Sequence, residues 1–172
     1  MSNEESMDEV AKGIAEAIRT ENEGRYFYLM AANSTTDPKG KEVFKTLADE
    51  EEVHMNYLKK QYLSLLEHGE FDKKLKLGPK ADFSGANPIF SEQLLERLSD
   101  AHYEMSALSI GVRLELFALS YYKRRAEESS DAYARGFFNE LAEWETGHYR
   151  ALLTQLDALK DFYWEAAGFA PF

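Results

Sequence analysis

The sequence predicts an all-α protein, a four-helix bundle of two antiparallel helix hairpins joined by a long crossover, with a short C-terminal extension. Three observations carry that prediction. Four long segments place apolar side chains three and four positions apart, the period of a helix with one buried face. Turn-forming residues separate the first segment from the second, and the third from the fourth, by only a few positions, as helix hairpins require. The second pair of segments also repeats the first at an offset of 94 residues.

In the first segment, Ser6-Met7-Asp8-Glu9 reads as a capping box, a hydroxyl for one orphan amide and a carboxylate for another. Ile14, Ala17, Ile18, Gly24, Tyr28 and Ala31 form its inward stripe, and Ser34-Thr35-Thr36 ends it near Asn33. Asp37-Pro38 then supplies an N-cap and a first helical residue. The second stripe runs through Phe44, Leu47, Ala48, Met55, Leu58, Tyr62 and Leu65 until Gly69 stops it. Hairpin 1 is thus expected over about residues 7–68.

The crossover is expected over about residues 69–100, where Gly78-Pro79, Gly85 and Asn87-Pro88 prevent any sustained period. A connection this long suits a return to the far end of a bundle, and a short helix is expected from Ser91 to about Leu98. Hairpin 2 follows at about 101–160. Its first helix, 101–128, turns Leu108, Gly111, Val112, Ala118 and Tyr122 inward; Ser129-Ser130-Asp131 makes the turn and the next N-cap. The last helix carries Phe138, Leu141, Ala142, Leu152 and Leu156 to about Lys160. An aromatic tail, 161–172, is expected to pack over the bundle end, with a dimer contact as its other use. The whole chain, 1–172, reads as one domain.

Composition narrows the function. Apolar residues at 44% are enough for a folded core, and a net charge of −11 argues against a nucleic-acid partner. With no cysteine, disulfides, zinc ribbons, iron–sulfur clusters and four-cysteine iron sites are excluded. No apolar run reaches the length of a membrane span, and MSNEESMDEV lacks the plan of a signal peptide, so a soluble cytoplasmic protein is expected.

The repeat carries the chemistry. Glu21 is followed thirty positions later by Glu51-x-x-His54, and Glu115 thirty positions later by Glu145-x-x-His148. A lone Glu-x-x-His in a charged helix is ordinarily a surface feature. Here all six residues interrupt apolar stripes, and burying unpaired carboxylates costs several kcal/mol each. Residues at i and i+3 share a helix face, so each Glu-x-x-His can reach a single ion, and a glutamate from each remaining helix completes the set. Four carboxylates and two imidazoles match the donor set of di-iron and di-manganese carboxylate bundles, with two divalent ions neutralising the four glutamates. Oxygen and imidazole donors suit iron and manganese alike. His68 and His102 lack such a setting and read as surface residues.

At this point the sequence resembles the rubrerythrin branch of the ferritin-like superfamily. The motifs that carry the likeness are Ala17-Ile18-Arg19-Thr20-Glu21 with Gly24 and Phe27-Tyr28, then Leu47-Ala48-Asp49-Glu50-Glu51-Glu52-Val53-His54. The second half repeats them as Glu115 with Ala118 and Tyr121-Tyr122, then Leu141-Ala142-Glu143-Trp144-Glu145-Thr146-Gly147-His148. The resemblance implies that Glu51 and Glu145 bridge two irons, with Glu21 and His54 completing one ion and Glu115 and His148 the other. It implies that Tyr28 and Tyr122 hydrogen-bond to the metal-binding carboxylates. Two departures stand out: there is no rubredoxin part, and Ala118 stands where the family carries an extra glutamate that exchanges with an iron. A more symmetric site is therefore expected.

The activity so implied is a di-iron oxidoreductase that reduces hydrogen peroxide or activates dioxygen. Its electrons would come from a separate donor protein such as a rubredoxin, and a homodimer is the expected assembly. Ferroxidase or iron-handling chemistry, a dimanganese catalase, and a non-catalytic metal-binding structural protein are the alternatives.

Overall fold

Asp37 and Gly69 show how the sequence brackets its helices. In the computed structural model, which describes residues 3–78, 91–95 and 102–166, Asp37 sits in extended conformation and its carboxylate accepts from Gly40 N at 2.8 Å. Pro38 then opens α2, Pro38–His68, where its missing amide costs nothing. Gly69 closes it in the left-handed region (φ 71°), donating to Leu65 O at 2.9 Å. Asp131 does the same for α5, Ala132–Ala166, by accepting from Ala134 N at 2.8 Å. The remaining helices are α1, Asn3–Ser34, the short α3, Glu92–Leu95, and α4, His102–Glu128.

Two boundaries differ from expectation. Helix α1 starts at Asn3, ahead of the capping box read at Ser6, and the Glu9 carboxylate binds Lys12 at 3.0 Å. Helix α5 continues past Lys160 to Ala166, so residues 161–166 extend the helix instead of folding over the bundle end. Phe162 and Trp164 stay about half exposed, and Tyr163 meets the His102 ring at 6.4 Å. The chain from 161 to Ala166 contains no glycine or proline to stop the backbone, which explains the extension. The rest of the tail, 167–172, the turn residues Gly85 and Asn87-Pro88, and the helix expected to reach Leu98 beyond α3 lie outside the described residues.

Helix α1 packs along α2, α4 along α5, and α1 against α4. The buried apolar side chains form two clusters. One holds Val10, Ile14, Leu58, Leu65, Tyr122, Phe138 and Leu141; the other holds Tyr28, Ala31, Phe44, Leu47, Leu108, Leu152 and Leu156. Chain direction follows from the order in which each helix crosses them. Helices α1 and α5 run from the first cluster to the second; α2 and α4 run from the second to the first. Both hairpins are therefore antiparallel, and the end of α2 and the start of α4 lie at opposite ends of the bundle. The Thr35 hydroxyl, in the α1–α2 turn, donates to Glu104 of α4 at 2.8 Å, which fixes the start of α4 at that end. This is the all-helical, ferritin-like bundle that the sequence predicts. No helix among the described residues is long and apolar enough to cross a membrane.

Candidate metal centre

Between the two apolar clusters, each long helix turns acid or imidazole inward. Glu21 follows Ala17 and precedes Tyr28 on α1; Glu51 and His54 stand between Ala48 and Leu58 on α2. Glu115 follows Leu108 on α4, and Glu145 and His148 separate Ala142 from Leu152 on α5. All six are at most 4% exposed. The helical period that buries the flanking apolar residues leaves these side chains no route to solvent.

Ligand-type atoms of Glu21, Glu51, His54 and Glu145 lie within 4.8 Å of one another, and so do those of Glu51, Glu115, Glu145 and His148. Glu51 and Glu145 belong to both groups. His54 Nδ1 is 3.0 Å from Glu21, 3.2 Å from Glu145 and 3.7 Å from Glu51. His148 Nδ1 is 3.5 Å from Glu115 and 3.6 Å from both Glu51 and Glu145. The two imidazoles stack nearly parallel at 5.6 Å. Thus the same nitrogen of each histidine faces the carboxylates.

The two tyrosines named from the sequence reach this cluster, each across to the other hairpin. The Tyr28 hydroxyl donates to Glu115, and the Tyr122 hydroxyl donates to Glu21. Burial first, and then the facing glutamate, pushes both phenols well above their ordinary value, so both remain hydrogen-bond donors.

Electrostatics divides the four glutamates. Burial raises Glu21 and Glu115 well above the usual carboxylate range; the charges of Glu145 and Glu51 add to this, while His148 opposes it at Glu115. Burial also acts to raise Glu51 and Glu145, but Glu21 and the two imidazoles hold Glu51 down at about 2, and His148 and His54 hold Glu145 well below its ordinary value. Both histidines are lifted well above theirs: burial opposes the charged form, and the surrounding carboxylates outweigh it. Opposite shifts on neighbouring carboxyls, beside two raised imidazoles, let the cluster share protons instead of burying four unpaired charges.

The donor set fits a pair of divalent ions. Glu145 Oε1 is buried, 3.2 Å from His54 Nδ1, with no well-formed hydrogen bond among the described residues. Four converging carboxylates offer the charge that two such ions need. A cavity of about 30 Å³, large enough for one small molecule, lies against these carboxylates, with Gly24 and Ala118 in its walls. A Cβ on Gly24 would meet Glu51 Cδ at 3.5 Å, so bulk there would crowd the carboxylate.

One residue beside the cluster was not singled out in the sequence. Glu50, 7% exposed, reaches from α2 to α5, where its carboxylate meets His148 Nε2 at 2.5 Å. It was hidden within the acidic run Asp49-Glu50-Glu51-Glu52, whose outer members look like a solvated face. The repeat held a signal, since Glu50 and Trp144 occupy the same register in the two halves. The expected symmetry therefore holds for the six inward donors and fails in the residues behind the histidines. His68 is exposed and His102 stands at the start of α4, both away from the cluster.

The family model described as Rubrerythrin matches residues 12–156, which span all six inward donors and both tyrosines. No curated protein and no solved structure matches the chain.

Proposed function

Because the chain belongs to the rubrerythrin family, a ferritin-like di-iron family, we propose that its buried cluster holds two iron ions and that the protein reduces hydrogen peroxide, or activates dioxygen, there. The carrying observation is that two four-residue donor groups share Glu51 and Glu145. In this reading Glu51 and Glu145 would be shared between the ions, with Glu21 and His54 holding one and Glu115 and His148 the other. A pair of irons at bridging distance can supply two electrons together to an O–O bond.

The protein's own groups set the conditions. Tyr122 and Tyr28 each hold one oxygen of Glu21 and Glu115, which orients the other toward an ion. The apolar clusters on either side keep bulk water from the centre, and the cavity beside Gly24 and Ala118 admits a molecule the size of peroxide. Reducing peroxide to two waters consumes two electrons and two protons. In this reading a donor protein such as a rubredoxin would supply the electrons, since residues 1–172 contain no cysteine for an iron relay.

Ferroxidase chemistry is the second reading, favoured by Ala118. An alanine cannot act as the exchanging ligand that the family resemblance implies at that position, and iron oxidation by dioxygen needs no such exchange.

Anaerobic loading with Fe(II) or Mn(II), followed by rapid mixing with peroxide and separately with air, distinguishes these chemistries. Two ions per chain and faster oxidation by peroxide are expected. Faster reaction with air selects the ferroxidase, sustained oxygen release without reductant selects a catalase, and no redox reaction leaves only a structural metal site. Glu51→Ala and Glu145→Ala should each lose both ions; unchanged metal content would remove that residue from the centre.

A further inference from the structure

The two halves repeat their inward donors but not what lies behind them. His148 presents Nδ1 to Glu51, Glu115 and Glu145, and its Nε2 lies 2.5 Å from Glu50 Oε2. If Nδ1 is to offer its lone pair to an ion, the ring proton must sit on Nε2. A carboxylate accepting that proton fixes the tautomer, holds the ring plane and strengthens the nitrogen as a donor. His54 also turns Nδ1 inward, yet its Nε2 is buried without a hydrogen-bond partner among the described residues. Trp144, the counterpart of Glu50, lies against that ring, centroid to centroid 4.8 Å and nearly perpendicular. An indole fills space but its N–H can only donate, so it offers no charged acceptor to His54.

We propose that Glu50 is a positioning residue for His148 and makes the centre unequal, so that the Glu115–His148 half takes its ion more tightly than the Glu21–His54 half. The inference rests on the two-ion reading above. Ordered filling follows from it: the first ion settles beside Glu115 and His148, and the second, beside Trp144, is the one more easily lost.

The test is anaerobic calorimetric titration of the metal-free protein with Fe(II), with ⁵⁷Fe Mössbauer spectra at one and two equivalents. Wild type should bind two ions in separate steps, with one quadrupole doublet dominating at one equivalent. Glu50→Gln keeps the shape and an acceptor oxygen but removes the charge. It should weaken the tighter step by about 10–100-fold, leave the other within about threefold, and give two doublets at one equivalent. Trp144→Glu should strengthen the weaker step; if that core change prevents folding, Glu50→Gln decides alone. Equal steps in wild type, an unchanged tighter step in Glu50→Gln, or equal weakening of both steps would each overturn the inequality. Fewer than two ions in wild type would instead overturn the two-ion reading, which makes the two failures distinguishable.

Discussion

Tyr28 and Tyr122 join the hairpins, because each holds a glutamate of the other hairpin. Removing one hydroxyl leaves a buried carboxyl oxygen unmet, at about 1–3 kcal/mol. Tyr122→Phe should therefore lower the Tm of the metal-free protein and weaken ion binding on the Glu21 side, as read by calorimetry and metal titration. The imidazoles give a pH dependence. Because the folded protein raises His54 and His148, their stabilisation is complete below about pH 6.5 and is lost as pH climbs through the folded values. Raised Glu21 and Glu115 act in the same sense; lowered Glu51 and Glu145 act in the opposite one and matter only as pH falls below the ordinary carboxylate range. The Tm of metal-free protein should thus fall as pH rises above about 6.5, the ordinary histidine value. Loading divalent ions at neutral pH should release protons, because the ions compete with them for the raised imidazoles and carboxyls, measurable in buffers of different ionisation enthalpy.

At the scale of elements, the two hairpins begin their second helices with the same cap in different surroundings. Asp37 accepts from Gly40 N and also from the amide and hydroxyl of Ser91, tying the start of α2 to the segment before α3. Asp131 serves Ala134 N at the start of α5. Asp131→Ala should cost about 1 kcal/mol, an ordinary cap, and Asp37→Ala should cost more, toward about 2 kcal/mol, because the Ser91 contacts go with it. Thermal melts of the two variants check this; equal losses would show that the Ser91 link contributes nothing. Beyond the end of α2, Gln61 exchanges two 3.0 Å hydrogen bonds with the Asp72 backbone, so the chain leaves the bundle held against it. The caps at Asp37, Gly69 and Asp131 were legible because each is a local contact between residues a few positions apart, whereas the capping box read at Ser6 lies inside α1. The α5 end was not, since the apolar stripe fades after Leu159 while nothing in the backbone compels the helix to stop.

Across the molecule, the ionisable centre sits between two clusters built of apolar side chains. The protein stripped with a chelator should keep its helical circular dichroism, and adding Fe(II) without oxygen should raise its Tm, by about 2.7 kcal/mol of added stability at a hundredfold excess over Kd. Loss of helix on chelation would mean that the ions, not the apolar clusters, hold the bundle.

The sequence alone determined the helical class, the two antiparallel hairpins and the six inward acid and imidazole side chains. Each of these follows from spacing along a single helix, or from a repeat between helices, and such periods survive without knowledge of neighbours. Only the tertiary structure decided which hairpin each tyrosine serves, that Glu50 turns inward to His148, and that Trp144 takes the equivalent place beside His54. Those contacts join residues about a hundred positions apart, and which of several acids in a run meets a partner depends on how two packed helices rotate against each other.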